Sequence, residues 1–389
     1  MQLSDRVVRL KPSATLAVNA LATELARSGK DIISLSLGEP DFRSPALVSQ
    51  AAIQAINDGF THYTAESGIP QLREAAAAYF NRNYQAGAEA GNILIGNGGK
   101  QCLFNAFMAL INPGDEVLMP TPCWVSYPAM IEIAGGVPVP VPAGVERNFK
   151  VTVEDLDRHY SPKTRLCIIN SPSNPTGAIY SREEIDAIAA WAVQKNIVLI
   201  SDEIYDQLVY GGKEHHSCCG WWSKYPENFA IINGVAKTYA MTGWRVGYLL
   251  AHPDLIKAAG KLSGQSTSSV CSISQKAALA ALTGDLPEVA RMKAAFERRC
   301  KLVTGIISAW PGVDCPEPGG AFYVFPDMHR LYTREMPDST ALCKALLEKA
   351  GVALVPGIAF GDDRCVRISY ATDDAVLEKA LKRIADVLF

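Results

Sequence analysis

Short apolar runs separated by amphipathic stretches fill the middle of this 389-residue chain. Ile93-Leu94-Ile95, Glu116-Val117-Leu118-Met119, Arg165 to Ile169, Ile197 to Ser201, Ala230-Ile231-Ile232-Asn233 and Val246 to Leu250 each read as strands. Pro120 is expected to end the second of them. A helix is predicted over about 100–111, after the glycines that follow the first strand. Another starts at Ser181, where Glu184 three residues later completes a capping box. Strands that are apolar at nearly every position are buried on both faces. Their alternation with helices predicts a mostly parallel sheet covered on both sides, an α/β fold. Ligands of such sheets gather at the carboxyl ends of the strands. Asn170, Asp202 and Lys237 all follow predicted strands, so one crevice could hold the three.

The pattern changes near Gly284-Asp285-Leu286-Pro287. A long charged helix runs to about Trp310. The strand Ala321-Phe322-Tyr323-Val324-Phe325, a helix over about 339–350, short strands near Val352 and Val366 and a closing helix from Asp373 follow. This is the order of a smaller α+β unit. No internal repeat or low-complexity tract interrupts either part.

A hydrophobic fraction of 48% in 389 residues is enough for a large core and two domains. The net charge of −3 without a basic cluster argues against nucleic acid as a partner. No segment is apolar for long enough to span a bilayer, and the start Met1-Gln2-Leu3-Ser4-Asp5-Arg6 lacks a signal-peptide core. The ten cysteines have no metal-ligand spacing, and most sit in apolar runs such as Leu166-Cys167-Ile168-Ile169. They read as reduced, buried, small hydrophobes of a cytoplasmic protein. His215-His216 read as loop histidines and not as ligands, so no metal is expected.

The segment richest in chemistry is Gly234-Val235-Ala236-Lys237-Thr238-Tyr239-Ala240-Met241-Thr242-Gly243-Trp244-Arg245-Val246-Gly247-Tyr248. A lysine attacks carbonyls only when neutral, and apolar, partly buried surroundings lower its pKa toward that state. Arg245 offers a cation suited to a phosphate dianion. A carbonyl and a phosphate on one small molecule suggest pyridoxal phosphate. Its pyridine nitrogen needs an acidic partner, and Asp202 in Ile200-Ser201-Asp202-Glu203-Ile204-Tyr205 is the candidate. Gly98-Gly99-Lys100 before a helix could cradle the phosphate on backbone N–H groups.

With these residues in view, the chain resembles the fold-type I, pyridoxal-phosphate-dependent class I aminotransferases, nearly end to end. The resemblance runs through Lys11-Pro12-Ser13-Ala14-Thr15, Gly38-Glu39-Pro40-Asp41-Phe42, Tyr63-Thr64, Gly98-Gly99-Lys100-Gln101, Trp124-Val125-Ser126-Tyr127, Asn170-Ser171-Pro172-Ser173-Asn174-Pro175-Thr176-Gly177, the two segments above and Arg367-Ile368-Ser369-Tyr370-Ala371. Within the family it is most similar to the bacterial-type aspartate aminotransferases, which include prephenate aminotransferases. The resemblance implies a large cofactor-binding domain over 45–285 and a small domain over 1–44 and 286–389. It implies Lys237 as the Schiff-base lysine and proton shuttle, Asp202 as partner of the pyridinium nitrogen, and Tyr205 as partner of the cofactor's phenolic oxygen. Trp124 would stack on the ring. Gly98, Gly99, Lys100 and Arg245 would hold the phosphate, and Tyr63 would reach the phosphate of a neighbouring subunit in a homodimer. Two positions depart from the family pattern. Gly234 stands where a serine or threonine phosphate ligand is frequent, and Cys123 stands where tyrosine is usual.

Arg367 is implied as the clamp on the substrate α-carboxylate, assisted by Asn174 and the Gly38 backbone. Ser13, Thr15 and Lys100, with Lys11, are implied for a distal carboxylate. The expected reaction moves an α-amino group between aspartate or glutamate and a 2-oxo acid such as 2-oxoglutarate, oxaloacetate or prephenate. Aromatic or kynurenine transamination and β-elimination are the enzyme rivals on the same scaffold. A regulatory protein with an aminotransferase-like domain is the non-enzyme rival.

Overall fold

The computed structural model describes residues 1–8, 10 and 14–389. Its centre is a seven-stranded sheet: β1 Ile93–Gly96, β2 Glu116–Thr121, β3 Val137–Pro142, β4 Thr164–Asn170, β5 Val198–Asp202, β6 Phe229–Gly234 and β7 Gly247–Ala251. The spatial order is β1-β7-β6-β5-β4-β2-β3. Strands β2 to β6 pair in parallel, and β7 runs antiparallel to both of its neighbours. The expected mostly parallel sheet is therefore present.

Alternate residues of each strand feed two cores. Ile95, Leu118, Ile169, Leu199, Ile231 and Leu250 point into one, under the helices Pro70–Tyr84, Arg182–Lys195 and Ser272–Thr283. Leu94, Val117, Ile168, Ile200, Ile232 and Leu249 point into the other, against the helices Gly99–Leu110 and Pro253–Ser266. Burial on both faces is what removes the polar alternation from these strands. The Arg182–Lys195 helix starts as the sequence predicts. Ser181 Oγ accepts from the Glu184 N–H, and Glu184 Oε2 accepts from the Ser181 N–H at 2.7 Å.

Two local expectations need correction. The second strand does not stop at Pro120 but continues to Thr121, with Pro120 opposite Val141. Its ladder to β4 ends at Leu118–Cys167, so on that side the proline withholds no ladder bond. Strand β3, with the sequence Val-Pro-Val-Pro-Val-Pro, is absent from the strands read from the sequence, because prolines argue against a strand. Here Pro138, Pro140 and Pro142 share one parity. The Val137 and Ala143 N–H groups, of the other parity, donate to Asp115 and Thr121, so the missing N–H groups all face the open edge.

The amino-terminal residues around Ile33 join the carboxyl-terminal part. Ile33–Ser34 pairs in parallel with Val352–Ala353, and Ile33 and Leu35 enter a core formed with Phe296, Val303, Phe322, Leu342 and Leu377. A three-stranded antiparallel sheet, ordered Val355–Pro356, Val366–Ser369, Tyr323–Val324, sits beside it. Ser369 N–H donates to Leu35 O, which ties the Arg367 strand to the segment leading into Gly38. All ten cysteines are free. Cys271 is exposed and Cys315 half-buried, and these two depart from the expectation of buried thiols.

Glycines decide how closely the helix Gly99–Leu110 meets the sheet. A Cβ on Gly247 would lie 2.5 Å from the Gly98 carbonyl carbon. Gly247→Ala should therefore lower unfolding stability by about 1–3 kcal/mol, the cost of overpacking against backbone. Gly305→Ala, in open space on the helix Pro287–Ile307, should instead raise it by about 0.5–1 kcal/mol. Urea unfolding checks both, and a neutral Gly247→Ala would contradict the close approach.

Candidate active site

At the carboxyl end of the large sheet lies a cavity of about 470 Å³, lined by Gly38, Gly99, Lys100, Trp124, Asn174, Asp202, Tyr205, Lys237, Arg245 and Arg367 among others. Most of the cofactor and substrate candidates thus face one space. The sheet explains the convergence. Asn170 and Asp202 are register partners at the ends of β4 and β5, and Lys237 follows the end of β6.

Lys237 Nζ donates to Gly38 O at 2.5 Å and has no carboxylate partner among the described residues. Burial lowers its pKa to about 8; Glu39 and Asp202 oppose the shift, while Arg367 and Arg245 add to it. The amine is therefore far easier to deprotonate than a solvated lysine. Asp202 is buried and accepts from Tyr127 Oη at 2.5 Å. Burial pushes its pKa up to about 6, against the Tyr127 hydrogen bond. Tyr205 Oη lies 3.0 Å from Tyr323 Oη.

Arg367 is 2% exposed and forms no ion pair among the described residues. Its Nη1 donates to Asn174 Oδ1 at 3.1 Å and its Nη2 to Ser36 O at 2.6 Å, while Nε has no partner among the described residues. Asn174 is held in turn, its N–H donating to Asn170 Oδ1 at 2.8 Å. The guanidinium lies over the Tyr323 ring at 4.6 Å. A buried cation supported by neutral groups alone lacks the negative partner that its desolvation calls for.

The phosphate candidates form the opposite end. Gly98, at φ +84°, caps the helix Gly99–Leu110, whose first N–H groups lack intrahelical partners. A Cβ on Gly98 would lie 2.5 Å from Arg245 Nη2. Among the described residues, Arg245 donates only to carbonyls, those of Thr242 at 2.8 Å and Asn97 at 3.4 Å. Gly234 now has a packing reason, since a Cβ there would lie 2.9 Å from Gly247 Cα and 3.0 Å from Val246 O.

Trp124 borders the cavity with Lys100 Nζ 4.9 Å above its ring, and burial followed by the charge of Arg245 lowers the Lys100 pKa. Tyr63 is 90% exposed and does not line the cavity. Lys11 and Ser13 lie outside the described residues. Thr15 falls in the helix Ala14–Arg27, but its side chain lies outside them as well. Sequence reasoning missed Tyr127, Tyr323, Glu39 and Thr242. Tyr127 and Glu39 stand inside the quoted motifs, but only their contacts reveal what they touch. Thr242 Oγ1 donates to Glu39 Oε2 at 2.7 Å. His215 lies in a loop, as read from the sequence, but its side chain is 3% exposed and paired with Glu203, which the sequence did not reveal.

Comparison with known proteins fits this geometry. Residues 30–384 match the family of class I and II aminotransferases. An aspartate aminotransferase of Streptomyces avermitilis is 44% identical over 393 residues, covering 100% of this chain and 96% of that protein. An aspartate/prephenate aminotransferase of Cereibacter sphaeroides is 44% identical, with coverages of 98% and 97%. The solved structure of the Thermus thermophilus aspartate aminotransferase with maleate superposes with a TM-score of 0.94 at 44% identity, covering 100% of both chains. The chain belongs to the class I and II aminotransferases, enzymes whose substrates are small molecules.

The lowered pKa of Lys237 gives a direct test. Its condensation with a small neutral aldehyde, trapped by reduction and mapped by mass spectrometry, should accelerate with pH about a midpoint of about 8. Arg367→Met removes a neighbouring cation and should move that midpoint up by about one unit. A native midpoint near the ordinary 10.5 would contradict the electrostatic reading.

Proposed function

We propose that this chain is a pyridoxal-phosphate-dependent aminotransferase that moves the α-amino group between an acidic amino acid, aspartate or glutamate, and a 2-oxo acid. The observation that carries the reading is that Arg367, buried without a carboxylate partner among the described residues, faces the same cavity as the pKa-lowered Lys237. The first is a seat for a carboxylate and the second an amine competent toward carbonyls.

The residues fit the cofactor by their own chemistry. The space beside Gly98 that a side chain would fill borders Arg245, and the free N–H groups of the adjoining helix start suit a phosphate. Asp202 suits a protonated ring nitrogen, Tyr205 a phenolic oxygen and Trp124 an aromatic face. When bound, pyridoxal phosphate supplies a carbonyl that exchanges for an amine and a ring that accepts an electron pair from the substrate α-carbon.

The chain's own residues do the rest. Arg367 and Asn174 bind the α-carboxylate and so fix the orientation of the α-carbon. Lys237 Nζ, neutral in part at physiological pH, takes the α-proton and returns it to the other side of the exchange. Asp202 holds a proton on the ring nitrogen, and Tyr127 holds Asp202 in place. Tyr323, hydrogen-bonded to Tyr205 and lying under Arg367, links the carboxylate seat to the cofactor side of the cavity.

The acidic preference rests on the similar aspartate aminotransferases, one of them solved with the dicarboxylate maleate, and on Lys100 at the cavity. A homodimer is proposed on family grounds. The exposed Leu47, Ile53 and Ile56 of the helix Ala46–Asn57 and the exposed Tyr63 support it. The division into 45–285 against 1–44 with 286–389 is supported by the two main cores, although Tyr205, Leu208 and Tyr210 of the larger part enter the core of the smaller one. A cytoplasmic setting is supported by the free cysteines; no described helix is long and apolar enough to cross a membrane.

Lys237→Ala should abolish transamination, with a loss of at least about 10²–10⁴-fold from acid–base chemistry alone. Asp202→Ala should still take up the cofactor and turn over slowly. Near-native rates in the first variant, or a kcat within about threefold of wild type in the second, about 0.7 kcal/mol, would defeat the assignment. For specificity, Lys100→Met should lower kcat/KM for aspartate and glutamate by about 10–150-fold, the worth of a hydrogen bond to a charged group. Phenylalanine, which has no distal charge, should be nearly unaffected. Equal losses would assign Lys100 to the cofactor or the fold, and a wild-type preference for phenylalanine or kynurenine would favour an aromatic transaminase.

A further inference from the structure

Strand β5 ends in Asp202, and the chain continues Glu203-Ile204-Tyr205-Asp206. Asp202, Glu203 and Asp206 are all buried. Phenols hold two of them. Tyr127 Oη donates to Asp202 Oδ2 at 2.5 Å, and Tyr79 and Tyr84 donate to Asp206 Oδ2 at 2.5 and 2.7 Å. Phenols donate hydrogen bonds but do not cancel charge.

Glu203, 0% exposed, is held differently. Ser201 Oγ and the Cys218 N–H donate to its Oε1 at 2.8 and 2.9 Å, and His215 Nε2 lies 3.1 Å from its Oε2. Among the described residues, the imidazole is the group able to carry a positive charge against Glu203. His215 Nδ1 has no partner, and the ring meets Tyr84 edge-on at 5.5 Å. Asp206 faces it as a second carboxylate, and Cys218 and Cys219 close the same pocket beside Glu203.

We propose that His215 is a positioning residue: as an imidazolium paired with Glu203, it cancels a buried negative charge directly behind Asp202 and so keeps the Asp202 carboxylate ionised toward the cofactor's ring nitrogen. The electrostatics agree. Burial pulls the imidazole pKa down, but the charge and hydrogen bond of Glu203, with the charge of Asp206, outweigh burial and hold it above the ordinary value. The Glu203 charge pushes the Asp202 pKa up, in the same direction as burial, while Tyr127, the Ile204 N–H and Lys237 act against it. Without the imidazolium, this upward push of the Glu203 charge on the Asp202 carboxyl would go unopposed by any cation paired with Glu203 among the described residues. The inference rests on Asp202 as the ring partner.

The test is calorimetric binding of pyridoxamine 5′-phosphate, whose amine cannot condense with Lys237, to cofactor-free protein from about pH 5.5 to about pH 8.5, a range covering shifted carboxyls and imidazole. Wild-type affinity should fall as pH drops through the Asp202 pKa of about 6. His215→Gln should move that fall up by about one pH unit and weaken binding about tenfold at the pH where the shift bites. Adding Glu203→Gln removes the uncancelled charge and should return affinity to within about threefold of wild type, half a pKa unit. An unchanged profile for His215→Gln, or equal damage in the single and double variants, would overturn the proposal, since a packing defect is not repaired by removing a charge. NMR titration of His215 in the same protein should give a pKa above the ordinary value, and a neutral ring throughout would also overturn it. Wild-type binding and pH dependence in Asp202→Asn would instead overturn the ring-partner reading itself.

Discussion

Three glycines stand in register across the end of the large sheet: Gly96 of β1 opposite Gly247 of β7, and Gly247 opposite Gly234 of β6. Bare backbone at this row lets the helix Gly99–Leu110 begin directly on the sheet. A methyl group on Gly247 would meet the peptide between Gly98 and Gly99, one on Gly234 would meet Gly247, and one on Gly96 would lie 2.7 Å from Cys102 Sγ. The free N–H groups of that helix start, the Arg245 guanidinium beside Gly98 and the entry to Lys237 all take their positions from this approach. A serine at 234 would add a hydroxyl toward an anion only if β6 and β7 moved apart, so the glycine trades one ligand for tighter strand packing.

Charge completes what the backbone begins. Four cations, Lys100, Lys237, Arg245 and Arg367, line the cavity with two carboxylates, Glu39 and Asp202. The charges of Arg367 and Arg245 disfavour a further cation at Lys237, which is part of why its amine loses its proton more readily than a solvated lysine. An occupant with a phosphate at one end and carboxylates at the other would offset this imbalance and stabilise the fold by mass action. The same logic extends behind the cavity, where the Glu203–His215 pair closes a second, fully buried charge account next to Asp202.

Much of this was legible in the chain because the signals are local. Apolar runs exposed the strands of a doubly covered sheet, Ser181 with Glu184 marked a helix start, and the glycines around Gly98 marked a turn into a helix. The quoted motifs carried Lys237, Asp202, Asn174, Arg245 and Arg367, which the cavity gathers together. The failures were also physical. Strand β3 was hidden because three prolines oppose strand propensity, and only the edge position of that strand makes them harmless. The role of His215 stayed hidden because a loop position says nothing of a partner, Glu203, that lies twelve residues earlier just past a strand end.

By itself the sequence determined the class of sheet, the order of its elements and the kinds of groups available for chemistry, since periodicity and residue type are properties of the local chain. It could not determine which groups share a dielectric environment. Arg367 meets Asn174 across 193 positions and Lys237 meets Gly38 across 199. Burial and mutual charge, which lower the Lys237 pKa and raise that of Asp202, arise only when such distant segments are packed against one another. Tertiary structure alone decided those properties, because desolvation and Coulomb interaction depend on distance in space and not on separation along the chain.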